Sequence, residues 1–135
     1  MTAKECVSFM LVKGDKVLVE QRALHKETDP GLITLPGGHI ELEETREQAL
    51  VRELKEELNV VPNTYYYLCS LHHPTQELQL IHYYVVLDWS GKLSNREADE
   101  VMWCSSSESQ ISIEADRVAL REMKRMQELL VQSSF

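Results

Sequence analysis

Residues 38–60 read GHIELEETREQALVRELKEELNV, and no other stretch constrains the fold as tightly. A glycine pair leads into a helix expected from about Thr45 to Leu58, with Arg52, Glu53, Glu56 and Glu57 crowded together. Like charges three or four residues apart on a helix cost stability, so such a cluster implies a use for the charge. With Glu53 as reference and about 100° per residue, Glu57 falls about 40° to one side and Glu56 about 60° to the other. Leu50, Leu54, Leu58 and Val51 fill the sector from about 60° to 160°, an apolar stripe that another layer must cover. The acidic arc abuts the stripe and is expected at the edge of the core, where attraction between a cation and a carboxylate is stronger than on an open surface. Ala49 falls inside the arc and is expected to leave room for an ion or a phosphate. Arg52, four residues before Glu56, can pair with a carboxylate and fix its orientation. A solvated amphipathic helix is the plain alternative for an isolated RELKEE string. Gly37-Gly38, read as a tight turn where the backbone approaches something closely, and Glu44 just before the helix favour a built site. Clustered carboxylates suit hard divalent cations such as Mg²⁺.

Strand-like segments surround this helix. Residues 5–12 and 17–21 read as the two strands of a hairpin about Lys13-Gly14-Asp15-Lys16. Residues 22–32 read as a loop containing Pro30-Gly31, and Ile33 to Leu35 as a short extended piece. Val60 to Leu71 and Gln79 to Trp89 are long strand candidates, with a turn beginning at His72-His73-Pro74. Val101 to Cys104 is a short final strand. Glu114 to Val131 is a second helix, with Ala115, Val118, Ala119, Met123, Met126 and Leu130 at helical spacing. One early and one late helix among strands predict an α/β fold, a mixed sheet between helices in an α/β/α sandwich.

The 135 residues are the size of one ordinary domain, and 43% hydrophobic with 27% charged content is that of an ordinary globular chain. No apolar run approaches the ~20 residues of a membrane span, and MTAKECVSFMLV lacks the marks of a signal peptide. Cys6, Cys69 and Cys104 show no CxxC spacing and read as reduced core thiols, which points to the cytoplasm. A net charge of −8 argues against nonspecific nucleic-acid binding. Between Gly38 and Val60 seven Glu face three Lys or Arg, so a phosphate-bearing substrate requires bound metal to approach.

The order Gly38, Glu44, Arg52-Glu53-Leu54, Glu56-Glu57 and Val60 resembles the Nudix box. One position departs: Asn59 stands where the family has glycine, and Asn is the next-best residue for a left-handed helix end. The box covers 23 residues, and the Leu35-Pro36-Gly37-Gly38 lead-in is also similar to the family. The resemblance implies a single Nudix domain over residues 1–135 that uses Mg²⁺, or Mn²⁺ in its place, to hydrolyse a nucleoside diphosphate-linked substrate. It implies that Glu53, Glu56 and Glu57 bind metal, with the Gly37 or Gly38 carbonyl as a backbone ligand. Glu53 or Glu57 would orient or deprotonate the water, Arg52 would hold a catalytic glutamate, and Glu44 would support the junction of loop and helix. Members often add a late-loop glutamate; Glu97, Asp99 and Glu100 are the candidates, and Glu100, three before Trp103, fits the family arrangement best.

Arg22 is a candidate for a phosphate or base, His25 and Lys26 lie in a loop that could cover the site, and His39 adjoins the glycines. His72, His73 and His82 read as structural or exposed. Phe9 and Trp103 could stack on a base, though aromatics in strands are more often core. Pro74 falls near a proline of ADP-ribose-cleaving members and also suits a hairpin turn. The leading substrate is a nucleoside triphosphate, including oxidised or noncanonical ones, cleaved to monophosphate and pyrophosphate. ADP-ribose or a nucleotide sugar is the runner-up. Rivals from other classes are a noncatalytic nucleotide-binding module and an isomerase of a diphosphate. The expected partner is a small-molecule nucleotide, with no nucleic acid and no membrane; a homodimer is among the states the resemblance allows.

Overall fold

A computed structural model describes residues 2–105 and 110–133, with side chains through residue 129. The strands are β1 (Lys4–Lys13), β2 (Lys16–Gln21), β3 (Ile33–Thr34), β4 (Gly37–His39), β5 (Val61–Pro74), β6 (Leu78–Ser90) and β7 (Glu100–Ser105), with helices α1 (Arg46–Leu58) and α2 (Glu114–Ser133). The mixed sheet runs β3-β2-β1-β6-β5, with β4 added to β1 and β7 to β2. Only the β1–β6 pairing is parallel among these ladders.

Strand alternation sends successive side chains to opposite faces. Cys6 and Met10 of β1 join Ile81, Tyr83 and Val85 of β6 under Ala115, Ala119, Leu120 and Met123 of α2. Val7, Phe9 and Leu11 join Tyr84 and Val86 under Ala49, Leu50, Leu54 and Leu58 of α1. The two helices thus cover opposite faces, the expected α/β/α sandwich. Met126 and Val118 are half-buried, and Leu130 lies outside the described side chains.

The sheet forks. β2 pairs with β1 only at Val12↔Val17 and Lys13↔Lys16, then continues against β7 and β3. β4 takes the vacated edge of β1 at Cys6, Val7 and Ser8. The opening between these branches is where the site forms.

Several local expectations change. Gly37 and Gly38 are strand, not turn, because their backbone pairs with β1. His72 to Pro74 continue β5 against β6, and the turn comes after them. Glu100 is the first residue of β7, opposite Gln21, and not part of a loop. Cys6 and Cys104 are buried thiols, but Cys69 is only half-buried. Phe9 is fully buried and Trp103 stacks on Trp89, so both aromatics serve the core.

Candidate active site

The acidic helix is fastened at both ends. Thr45 Oγ accepts from the Gln48 amide while the Gln48 side chain accepts from the Thr45 amide, a reciprocal cap. Asn59 ends the helix at φ 62° and ψ 34°, the left-handed conformation that asparagine tolerates in place of glycine.

The buried face of α1 is rotated from the expected stripe. Val51 is 41% exposed, whereas Ala49 is fully buried. Ala49 therefore packs against the sheet and leaves no room for an ion. The buried sector is centred nearer Glu53 and Glu57, which are 8% and 5% exposed, while Glu56 faces outward. Burial raises the pKa of Glu53, and raises that of Glu57 well above the usual carboxylate range.

Arg52 organises the exposed side of the cluster. Its Nε and Nη2 donate to the two oxygens of Glu44 at 2.7 and 2.9 Å. Its Nη1 donates to Glu53 at 2.8 Å and Glu56 at 3.1 Å, and Nη2 also donates to the His39 carbonyl at 3.0 Å. The Arg52 guanidinium holds the Glu44 carboxyl below its ordinary range. Glycine is required at Gly38 by proximity: a Cβ there would lie 2.5 Å from the Glu53 carboxylate. At Gly37 a Cβ would lie 2.2 Å from the Val7 carbonyl oxygen.

A cavity of about 370 Å³ opens beside these groups. Arg22, Lys26, Gly37, Gly38, His39, Glu53, Glu57 and Glu97 line it, whereas Arg52, Glu44, Glu56, His25, Asp99 and Glu100 do not. Lys26 and Glu97 face each other across the opening at 3.7 Å. Arg22 donates to the Thr28 carbonyl and hydroxyl, bracing the covering loop, and His73 pairs with Asp29 of that loop at 2.9 Å. His39 pairs with Glu77 at 2.5 Å, on the turn between β5 and β6. Exposed His72 and fully buried His82 lie outside the lining, the latter held between Ser70 and Glu5. Pro74 is exposed and also outside it.

Two acids were missed in the sequence. Glu20, 4% exposed, lies on the α1 side of β2, and burial pushes its pKa up to about 7. Its signal is a charge directly after the buried run Val17-Leu18-Val19. Asp116 is an acid inside the apolar stripe of α2, three before Ala119 and four before Leu120. It accepts from Tyr83 Oη at 2.6 Å and the Leu35 amide at 2.9 Å, and burial pushes its pKa up to about 6.

Among the described residues no three His, Cys, Asp or Glu side chains converge as a finished metal cage. A hard divalent cation takes carboxylate oxygens as ligands. A bare Glu57 Oε2, buried without a hydrogen-bond partner, is the oxygen such an ion would satisfy.

The NUDIX domain model matches residues 4–126. The chain belongs to the NUDIX family. Over 107 residues it is 34% identical to the CTP pyrophosphohydrolase of Escherichia coli K12, covering 78% of each chain. Over 100 residues it is 32% identical to the 8-oxo-dGTP diphosphatase of that organism, covering 73% of this chain and 77% of the relative. The MutT NUDIX hydrolase of Burkholderia pseudomallei superposes with a TM-score of 0.79 at 21% identity, covering 90% of this chain and 98% of that one. The E. coli ORF135 protein superposes at 0.78 with 28% identity, covering 94% and 92%. This NUDIX protein is thus an enzyme of phosphoanhydride hydrolysis.

Proposed function

We propose that this NUDIX enzyme hydrolyses a nucleoside triphosphate, including oxidised or noncanonical ones, to the monophosphate and pyrophosphate with Mg²⁺. The buried, partnerless Glu57 oxygen beside Glu53, at the wall of a nucleotide-sized cavity, carries the reading. Glu53, Glu56 and Glu57, with the Gly37 or Gly38 carbonyl, would hold the ion, and Mn²⁺ could replace it. Bound there, the metal supplies charge neutralisation for the diphosphate and acidifies water.

The protein's own groups supply positioning. Arg52 holds Glu53 at 2.8 Å, so that its carboxylate keeps one orientation toward the cavity. Glu53 or Glu57, both on the cavity wall and ionised when a cation is bound, would orient or deprotonate the water. Glu97 stands on the same wall and Glu100 does not, which favours Glu97 as the late carboxylate. Arg22 and Lys26 are cations facing the space where phosphates would lie, and Lys26 would exchange Glu97 for phosphate. Glu44 and His39 support the site from its rim, through Arg52 and Glu77. Farther in, the unpartnered Thr34 hydroxyl and buried Gln79 offer hydrogen bonds to a base edge.

The named relatives are a CTP pyrophosphohydrolase and 8-oxo-dGTP diphosphatases, which favours a triphosphate over ADP-ribose. The test is Mg²⁺-dependent turnover of nucleoside triphosphates, ADP-ribose, dinucleoside polyphosphates and nucleotide sugars. The highest kcat/KM is expected on a triphosphate, with pyrophosphate released. Faster cleavage of ADP-ribose would overturn the substrate class, and no turnover of any would favour a binding module. Glu53→Gln and Glu57→Gln should each lower kcat by at least about 100-fold with the fold intact.

A further inference from the structure

The turn from β5 to β6 is tightly built. Thr75 Oγ1 donates to the Glu77 carbonyl at 2.7 Å and accepts from the Glu77 amide at 3.0 Å. The Thr75 amide donates to the same carbonyl at 2.9 Å. These bonds fix the backbone of Glu77, whose side chain lines the cavity. Glu77 Oε2 accepts from Gln79 Nε2 at 2.9 Å and from His39 Nε2 at 2.5 Å. Those bonds, that from Gln79 foremost, hold the Glu77 carboxyl below its ordinary range.

A carboxylate accepts and cannot donate, so the Gln79 amide turns its nitrogen toward Glu77 and its oxygen away. Gln79 sits on β6 between Lys4 of β1 and His73 of β5, is 7% exposed and lines the cavity. Among the described residues no group donates to its side-chain oxygen. The buried side-chain atoms without a partner there are the Thr34 hydroxyl and Glu57 Oε2, so the Gln79 oxygen is not sealed in but reaches the open space. A base amine gains a hydrogen bond against such an acceptor. A keto oxygen in the same place leaves two acceptors facing each other, both desolvated and unpaired. The Thr34 hydroxyl donates or accepts and does not discriminate. The charge of Glu77 disfavours a phosphate beside it and leaves this part of the wall to the base.

We propose that Glu77 determines specificity: by locking the Gln79 amide it presents an acceptor that selects bases carrying an exocyclic amine over their keto counterparts. Glu77 acts through Gln79 and is a positioning residue. The inference rests on the triphosphate reading above and narrows it.

The test is kcat and KM of the full chain with Mg²⁺ on two pairs that differ at one exocyclic group, CTP against UTP and ATP against ITP. Within the pair turned over faster, wild type should favour the amine about tenfold in kcat/KM. Glu77→Gln lets the neighbouring amide take either orientation and should cut that ratio about fivefold, chiefly through KM of the amine-bearing member. Glu77→Lys is a donor only; it should turn the Gln79 amide around and shift the ratio toward the keto member. Gln79→Met removes the acceptor and should bring the ratio near one. A purely structural loss would slow both members alike and leave the ratio where it was. A wild-type ratio within about twofold of one, a preference for the keto member, or a ratio kept within about twofold of wild type by Glu77→Gln and Gln79→Met would overturn the proposal. Should Glu77→Lys fail to fold by circular dichroism, Glu77→Gln and Gln79→Met are read by the same threshold. Turnover of no triphosphate would overturn the triphosphate reading itself, whereas turnover without discrimination overturns this inference alone.

Discussion

Replacing Arg52 by lysine tests whether one guanidinium holds the acidic helix to its loop. Arg52 spans Glu44, Glu53, Glu56 and the His39 carbonyl with donors on three nitrogens. A lysine ammonium has three donors on one nitrogen and cannot reach both Glu44 and Glu53 in that geometry. At least two charge-assisted bonds are lost, at about 1.5–3 kcal/mol each. Arg52 keeps 21% exposure, so the low end applies and the total is about 3 kcal/mol. For a chain of this size that is a fall in Tm of about 10 °C. Freed from its partner, Glu53 should also lose orientation, with kcat down about 10- to 100-fold. Calorimetry and steady-state kinetics on Arg52→Lys read both, and a double-mutant cycle with Glu44→Gln isolates the paired part. A Tm within about 2 °C of wild type, with kcat unchanged, would refute the assignment of Arg52 as the organising residue.

Three further outcomes are expected. In chelator, stability should fall as pH rises from about 4.5 to about 7, because Glu20 holds its proton in the folded state to about pH 7 and releases it sooner when unfolded. The Glu20 share is about 3 kcal/mol; Glu20→Gln should lessen the fall without abolishing it, because burial also raises Glu53, Glu57 and Asp116, and a melt series showing stability rising over that window would reverse the sign. Gly37→Ala should cost at least about 2 kcal/mol, since its methyl meets the Val7 backbone. Gly38→Ala meets the movable tip of Glu53 and should lower kcat more than stability, a split that denaturation and kinetics measured side by side would expose. At Asn59, with φ 62°, Gly should change stability by less than about 1 kcal/mol and Val should cost about 1–2 kcal/mol in urea titrations.

Local rules carried the sequence a long way. Asn59 marks the end of α1 by capping chemistry, and the order of strands about one early and one late helix anticipates a sheet between helices. Angular arithmetic failed where packing decides. It assigns sectors but not the axis on which the helix settles, so Val51 and Ala49 exchanged roles. Gly37 and Gly38 illustrate the same limit: close approach was legible, but the approaching groups, Val7 and Glu53, come from elsewhere in the chain. Asp116 and Thr34 could not be gathered in advance, because the fork of β2 from β1 opens the cavity that both line.

That fork separates two kinds of inheritance within one small enzyme. The groups that would handle the diphosphate sit mainly on one continuous stretch, whereas the opposite wall of the cavity is assembled from β1, β3, β6 and α2. Arg52, with its donors already engaged, has little left to offer a ligand. On the reading proposed above, exchanges at Thr34 or Gln79 should redirect which base is accepted and leave Glu53 and Glu57 in place. Relatives of this chain should diverge in diet sooner than in chemistry, and a swap of wall residues between them should carry preference without carrying rate.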